Sequence, residues 1–180
     1  MSMTMNRILN SLLSAAIIGT LVITFSSCLP EGPEIPSFEE QLQKDIETID
    51  AYLATNNIQA TVHASGLRYI VHTQGNGNNP TVDSCVTSNY KGFFLPNGQT
   101  FDQGSNISFP LKNVIEGWRI GMPLLNEGDS ATFYIPSGLA YGYYGYPPTI
   151  PRDANLTFGV KLLKVGQTYS PFPEPKGTCE

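Results

Sequence analysis

Residues 138–151 read GLAYGYYGYPPTIP, a stretch with four tyrosines, three glycines and three prolines and no charged side chain. Such a segment has little conformational freedom to lose on binding, and it offers aromatic surface tipped with phenol hydroxyls. Other aromatic residues stand beside glycines, prolines or strand ends, namely Tyr90, Phe101, Phe109, Trp118 and Phe158, while Tyr141 lies in the stretch itself. Acid–base, nucleophilic and metal chemistry find little support. The histidines are His63 and His72, with no cysteine or histidine at ligand spacing. No G-x-S-x-G is present. Glu39 and Glu40 are accounted for by a helix cap, and GNG at 75–77 lacks the third glycine and following helix of a phosphate loop. The chemistry these residues suit is burial of an apolar ligand against an aromatic surface, with neither metal nor cofactor.

The elements that must position them follow from periodicity. Ser37 and Glu40 form an S-x-x-E capping box, and Phe38, Leu42, Ile46, Ile49 and Leu53 follow at spacings of three and four, with acids and glutamines between. One amphipathic helix is expected from 38 to about 55, within an N-terminal helical segment 38–58. Its stripe suits docking onto the chain's own domain, with a dimer seam as the alternative. From Gly66 the pattern is β: GLRYIVHTQ, then SCVTSNYKGFFL and QTFDQG around Pro96-Asn97-Gly98, where Asn-Gly between apolar runs signals a hairpin. NISFPL reads as a further short strand, VIEGWRIGM as a short helix closed by Gly121 and Pro123, and SATFYIP and NLTFGVKLLKV as strands on either side of the tyrosine loop. The fold class expected is α+β on an antiparallel sheet.

The chain has 180 residues, 41% of them apolar, and a net charge of −5, which argues against nucleic acid as a partner. Arg7 precedes the uncharged run ILNSLLSAAIIGTLVITF, which ends in Ser26-Ser27 before Cys28. This is the layout of a lipoprotein signal over 1–27 with Cys28 lipidated; Phe25 departs from the aliphatic residue usual there, and an uncleaved membrane anchor is the alternative. Either reading puts the folded part outside the cytoplasm, on a bacterial membrane, periplasmic or at the cell surface. Residues 28–37, proline-rich and aperiodic, are expected to be a tether and 167–180 a C-terminal tail. Two further cysteines, Cys85 and Cys179, allow one intramolecular disulfide in an oxidising compartment, and two separate thiols fit equally well.

NYKG at 89–92, TFD at 100–102, FPL followed by VIEGW within 109–118, the Glu127-Gly128-Asp129 turn, AYG at 140–142 and IPRDANLTFGVKLLKV at 150–165 occur in the order and spacing of a known family. Over about 66–166 the chain resembles the FKBP-type peptidyl-prolyl cis-trans isomerases. The resemblance implies an antiparallel sheet wrapped over a short helix, with the pocket between them. It assigns Tyr90, Phe101, Asp102, Trp118, Tyr141 and Phe158 to the catalytic pocket. Phe109, Val114, Ile115, Tyr146 and Ile150 are its further substrate-binding positions. It also implies Trp118 as a floor under a proline ring, the Tyr141 hydroxyl and Ile115 amide as donors to ligand carbonyls, and Asp102 as the polar group in an apolar wall. Proline-containing polypeptides are the implied partners, and macrolides possible ligands. Tyr146, Thr149 and Ile107 depart from the best-known members, so the rim differs while the floor does not. A binding-only module or chaperone of the same fold is the rival reading. A carbohydrate-binding surface lipoprotein is the third, although GYYGYPPT offers few groups for sugar hydroxyls.

Overall fold

The computed structural model describes residues 35–168; the expected leader, Cys28, most of the tether, and the tail from 169 with Cys179 lie outside the described residues, while 167 and 168, expected in the tail, end the last strand. Helix α1 spans Phe38–Thr55 and begins with the expected capping box: Ser37 accepts the Glu40 amide and the Glu40 carboxylate accepts the Ser37 amide. Six strands follow, β1 Thr61–Val62, β2 Arg68–Thr73, β3 Ser84–Phe94, β4 Thr100–Pro110, β5 Ser130–Ile135 and β6 Leu156–Thr168, with helix α2 at Glu116–Gly121. They form one antiparallel sheet in the order β1-β2-β5-β6-β3-β4.

Alternation along β5 divides its side chains between two faces. Ala131, Phe133 and Ile135 enter the main core with Leu67, Leu111, Trp118, Met122, Leu156 and Leu162, whereas Tyr134 joins a second cluster with Ile49 and Leu53. Helix α2 therefore lies on one face and α1 on the other. The approach of α2 depends on small residues: a methyl group on Gly117 would lie 2.5 Å from Ile135 Cγ2, and one on Gly121 about 3.0 Å from the Phe133 ring. Docking of α1 answers the question its stripe posed. Ile49 and Leu53 are buried on Tyr134 and Ile70, while Leu42 and Ile46 cover Gly66. Each fully buried side chain of this kind contributes about 1.5–3 kcal/mol. Phe38, the first residue of the stripe, is 55% exposed. Arg68, buried at the start of β2, donates two hydrogen bonds of 2.8 Å to Asp50 of α1.

The sequence reading divided β4 in two. QTFDQG and NISFPL instead belong to one strand of 11 residues paired along β3, with Asn106 in the left-handed region (φ 55°) where the break was expected. The Asn106 amide donates to the Asn89 side chain, which holds the irregularity in place. Irregularities between Ser88 and Tyr90 and between Gly92 and Phe93 interrupt the pairing. Such bulges bend a strand and re-aim its side chains, yet Val86 and Ser88 are both fully buried, Val86 within the main core. Cys85, next to Val86 on β3, is 6% exposed. It is disulfide-bonded, and its partner half lies outside the described residues.

Candidate active site

A cavity of about 560 Å³ opens between α2 and the sheet, lined by Tyr90, Asp102, Phe109, Asn113, Val114, Ile115, Trp118, Ala140, Tyr141 and Phe158. Trp118, at the third position of α2, is 4% exposed and forms its floor. Three rings hold the indole. Tyr90 and Phe158 meet it edge-on, with centroids 5.3 and 5.2 Å away and planes at 87° and 86°, and Phe109 is tilted at 5.3 Å. Edge-to-face packing is the arrangement aromatic quadrupoles favour, so the floor is locked rather than free to turn. The indole Nε1 is buried without a hydrogen-bond partner.

The cavity has one carboxylate, Asp102 at the exposed rim. It accepts a hydrogen bond from the Tyr90 hydroxyl at 3.1 Å and another from the Gln103 amide at 2.8 Å. The hairpin explains the pairing. Gly92 stands opposite Asp102 and Tyr90 opposite Gly104, so the phenol reaches along the strand to the acid. Burial, the hydrogen bond to Asp102 and that residue's charge all push the Tyr90 phenol above its ordinary value. Burial first, then the charge of Asp102, does the same at Tyr141. Both hydroxyls therefore stay protonated at neutral pH and can donate. Ile115 is the N-cap of α2 and its carbonyl accepts the Trp118 and Arg119 amides. Its own N–H stands at the helix end, where amides have no intrahelical acceptor.

The tyrosine loop forms the remaining wall. Two short 3-10 turns, Ser137–Leu139 and Gly142–Tyr144, carry the chain past Tyr141. A bridge between Tyr146 and Ile150 closes the tip, and Arg152 lies 4.0 Å from the centre of the Tyr143 ring. Of the residues singled out in the sequence, Tyr90, Asp102, Phe109, Val114, Ile115, Trp118, Tyr141 and Phe158 meet around the cavity. Three lie outside its lining. Phe101 supports Phe158 from behind at 5.4 Å, Ile150 is buried in the core, and Tyr146 is 64% exposed with its ring 5.8 Å from that of Tyr141. Asn113 and Ala140 line the cavity without having been singled out; Ala140 was legible only as the neighbour of Tyr141 and Asn113 carried no pattern of its own. His72 donates to or accepts from Thr132, and His63 bonds Ser65, both away from the cavity.

Fold and site together define a cavity between helix and sheet, walled by aromatic rings. Its chemistry rests on burial, shape and neutral donors. Residues 77–163 match the family described as FKBP-type peptidyl-prolyl cis-trans isomerase. The chain is 45% identical over 123 residues to a probable FKBP-type peptidyl-prolyl cis-trans isomerase FkpA of Neisseria meningitidis, covering 65% of this chain and 45% of that protein. It is 40% identical over 92 residues to FK506-binding protein 1 of Saccharomyces cerevisiae, covering 48% of this chain and 80% of that one. The crystal structure of a peptidyl-prolyl cis-trans isomerase from Pseudomonas syringae superposes with a TM-score of 0.62 at 28% identity, over 76% of this chain and all of that chain. This chain belongs to the FKBP-type peptidyl-prolyl cis-trans isomerase family. It spans about half the length of the curated bacterial relatives it matches.

Proposed function

We propose that the chain is a peptidyl-prolyl cis-trans isomerase that assists the folding of exported proteins while held to a bacterial membrane by a lipid on Cys28. The observation that carries the enzymatic part is the Trp118 floor, locked by three rings, under a cavity whose polar groups are neutral phenols, the Asn113 side chain, a rim carboxylate and a helix-end amide. The anchoring part is supported by the sequence around Cys28 alone.

Rotation about an X-Pro bond must break amide resonance, with a barrier of roughly 18–20 kcal/mol, and takes tens to hundreds of seconds unaided. The planar amide is the more charge-separated form. Moving it from water into an aromatic cavity therefore raises it relative to the twisted form, which has less charge separation to desolvate. A floor that fits the ring, with the Tyr141 hydroxyl and Ile115 amide holding carbonyls, adds binding that is stronger in the twisted state. Each 1.36 kcal/mol gained in that way is tenfold in rate. The tyrosine loop now has a reason for its composition: its bridge, turns and prolines fix the wall before the substrate arrives.

Exchange of a proline-containing peptide measured by protease-coupled turnover tests the enzymatic reading; a wild-type protein with no acceleration above the spontaneous rate refutes it. The same assay addresses the binding-only reading, which is favoured by the exposed aromatic rim, where Tyr144 is 81% and Tyr146 64% exposed. Peptide binding without turnover is its expected signature.

A further inference from the structure

Helix α1 lies outside the residues that match the family, yet it touches the loop that carries Tyr141. Asp45 is 2% exposed, and its Oδ2 accepts both the Ser137 amide at 2.9 Å and the Ser137 hydroxyl at 2.6 Å. Its Oδ1 accepts the Gln41 side-chain amide at 2.8 Å, so the carboxylate is satisfied on both oxygens. Phe38, two helical turns earlier on the same side, lies over the next residue of the loop, where a methyl group on Gly138 would come 2.7 Å from its ring. Ser137 starts the turn Ser137–Leu139 that leads directly into Ala140 and Tyr141 of the cavity wall. From the far end of the same loop Asn155, immediately before β6, accepts the Ser137 amide at 3.0 Å.

We propose that Asp45 is a positioning residue: it ties α1 to the base of the tyrosine loop at Ser137 and so fixes where Tyr141 stands over the Trp118 floor. An acid buried in an otherwise apolar helix face needs a reason, because it forgoes water for protein partners. Stable docking of α1 is already supplied by Ile49, Leu53 and the Arg68–Asp50 pair. What Asp45 adds is orientation of one turn. Charge-assisted hydrogen bonds to both the amide and the hydroxyl of one serine fix that residue in position and in side-chain rotamer. The rest of the wall is four residues away along a loop narrowed by its own bridge. The helix is thus a brace for the substrate-binding wall as well as a cover for the sheet.

This inference rests on the isomerase reading for its catalytic consequence but not for its structural one, and the experiment separates them. Asp45→Ala, Asp45→Asn and Ser137→Ala are compared with the wild type, well below each melting temperature. Two quantities are measured: kcat and KM on a proline-containing peptide, and amide hydrogen exchange resolved for residues 139–146 against β6. Asp45→Ala is expected to speed exchange in 139–146 about tenfold, with β6 unchanged, and to lower kcat/KM by about tenfold, equal to 1.36 kcal/mol of transition-state binding. Asp45→Asn keeps an oxygen for Ser137 and can pair its amide with a turned Gln41, so it should restore most of both. Ser137→Ala should resemble Asp45→Ala, and the two together should be less than additive, as residues acting through one contact are. A lower melting temperature with loop exchange, kcat and KM all at wild-type values would overturn the proposal and leave Asp45 a merely structural group. If the wild type lacks turnover, the isomerase reading fails, while faster loop exchange in Asp45→Ala still supports the brace and unchanged exchange overturns it.

Discussion

Replacing Trp118 by phenylalanine separates what this residue does for stability from what it does for the substrate. The indole has three ring neighbours at 5.2–5.3 Å, and at about 0.5–1.5 kcal/mol per aromatic pair their complete loss would cost about 1.5–4.5 kcal/mol. A phenyl ring in the same place keeps part of each contact. It also removes a buried N–H that has no partner, a group whose desolvation costs about 1–3 kcal/mol. The two effects oppose each other, so Trp118→Phe is expected to lose about 2 kcal/mol or less, against about 3–5 kcal/mol for Trp118→Ala. The floor, however, becomes smaller than the ring system it replaces, and a proline ring no longer meets a flat surface across its width. Turnover of a proline-containing peptide should fall by about ten- to a hundredfold in kcat/KM, equal to about 1.4–2.7 kcal/mol. Stability is to be read from urea unfolding by circular dichroism, because Trp118 is the single tryptophan and the variant has no indole signal. A variant with full kcat/KM and a stability loss above about 3 kcal/mol would show that the indole is a packing residue and that the cavity floor is not where substrate is distinguished.

Tyr141→Phe removes one hydroxyl donor from the wall and should weaken peptide binding by about 0.5–1.5 kcal/mol with the fold intact, as measured by titration calorimetry; an unchanged Kd would mean that the hydroxyl does not reach a ligand. Gly117→Ala drives a methyl group to 2.5 Å from Ile135 and should cost about 1–3 kcal/mol in urea unfolding, since α2 must shift away from β5; a neutral result would mean that the helix is not packed as tightly as its spacing indicates. Burial raises the phenols of Tyr90 and Tyr141, so each favours the protonated form more in the folded chain than in the unfolded one. Their contribution is complete at neutral pH and is lost as pH rises through and beyond the ordinary tyrosine value of 10.0. Turnover should accordingly be flat across neutral pH, and a bell-shaped profile abolished by Asp102→Asn would show proton transfer in the step. Cys28→Ala should leave the protein unlabelled by a metabolic fatty-acid probe, and labelling equal to wild type would exclude Cys28 as the lipid site.

The fold was legible wherever one period ran without interruption. The α1 stripe, the Asn-Gly hairpin and the strands on either side of the tyrosine loop all appear within three residues of where apolar spacing puts them. Legibility ended at the irregularities. Strand β4 looked like two strands because the polar residues Gln103, Ser105 and Asn106 break its alternation, and a left-handed residue inside a paired strand has no apolar signature. Most of the cavity was readable through resemblance to a family, because its motifs are carried in the chain itself. The division between lining and support was not. Phe101 and Ile150 act from behind the wall, and which aromatic residue touches a ligand and which touches another ring depends on bulges that no period records.

Asp45 shows the same limit from another side. It stands three residues after Leu42 and four before Ile49, squarely on the apolar stripe of α1, yet a charged residue among glutamines and glutamates reads as part of the solvated face. The signal was its position, since a helix that docks through 42, 46, 49 and 53 cannot turn residue 45 to water. A carboxylate on a buried stripe requires donors from outside its own helix once the Gln41 amide has taken one oxygen. Ser137, 92 residues away, supplies two of them. The requirement was readable in the sequence, but the partner became identifiable only when the sheet brought the start of the tyrosine loop beneath the helix. A buried acid on an amphipathic stripe therefore predicts a long-range polar contact before the contact is known, and here that contact falls at the start of the loop that bounds the cavity.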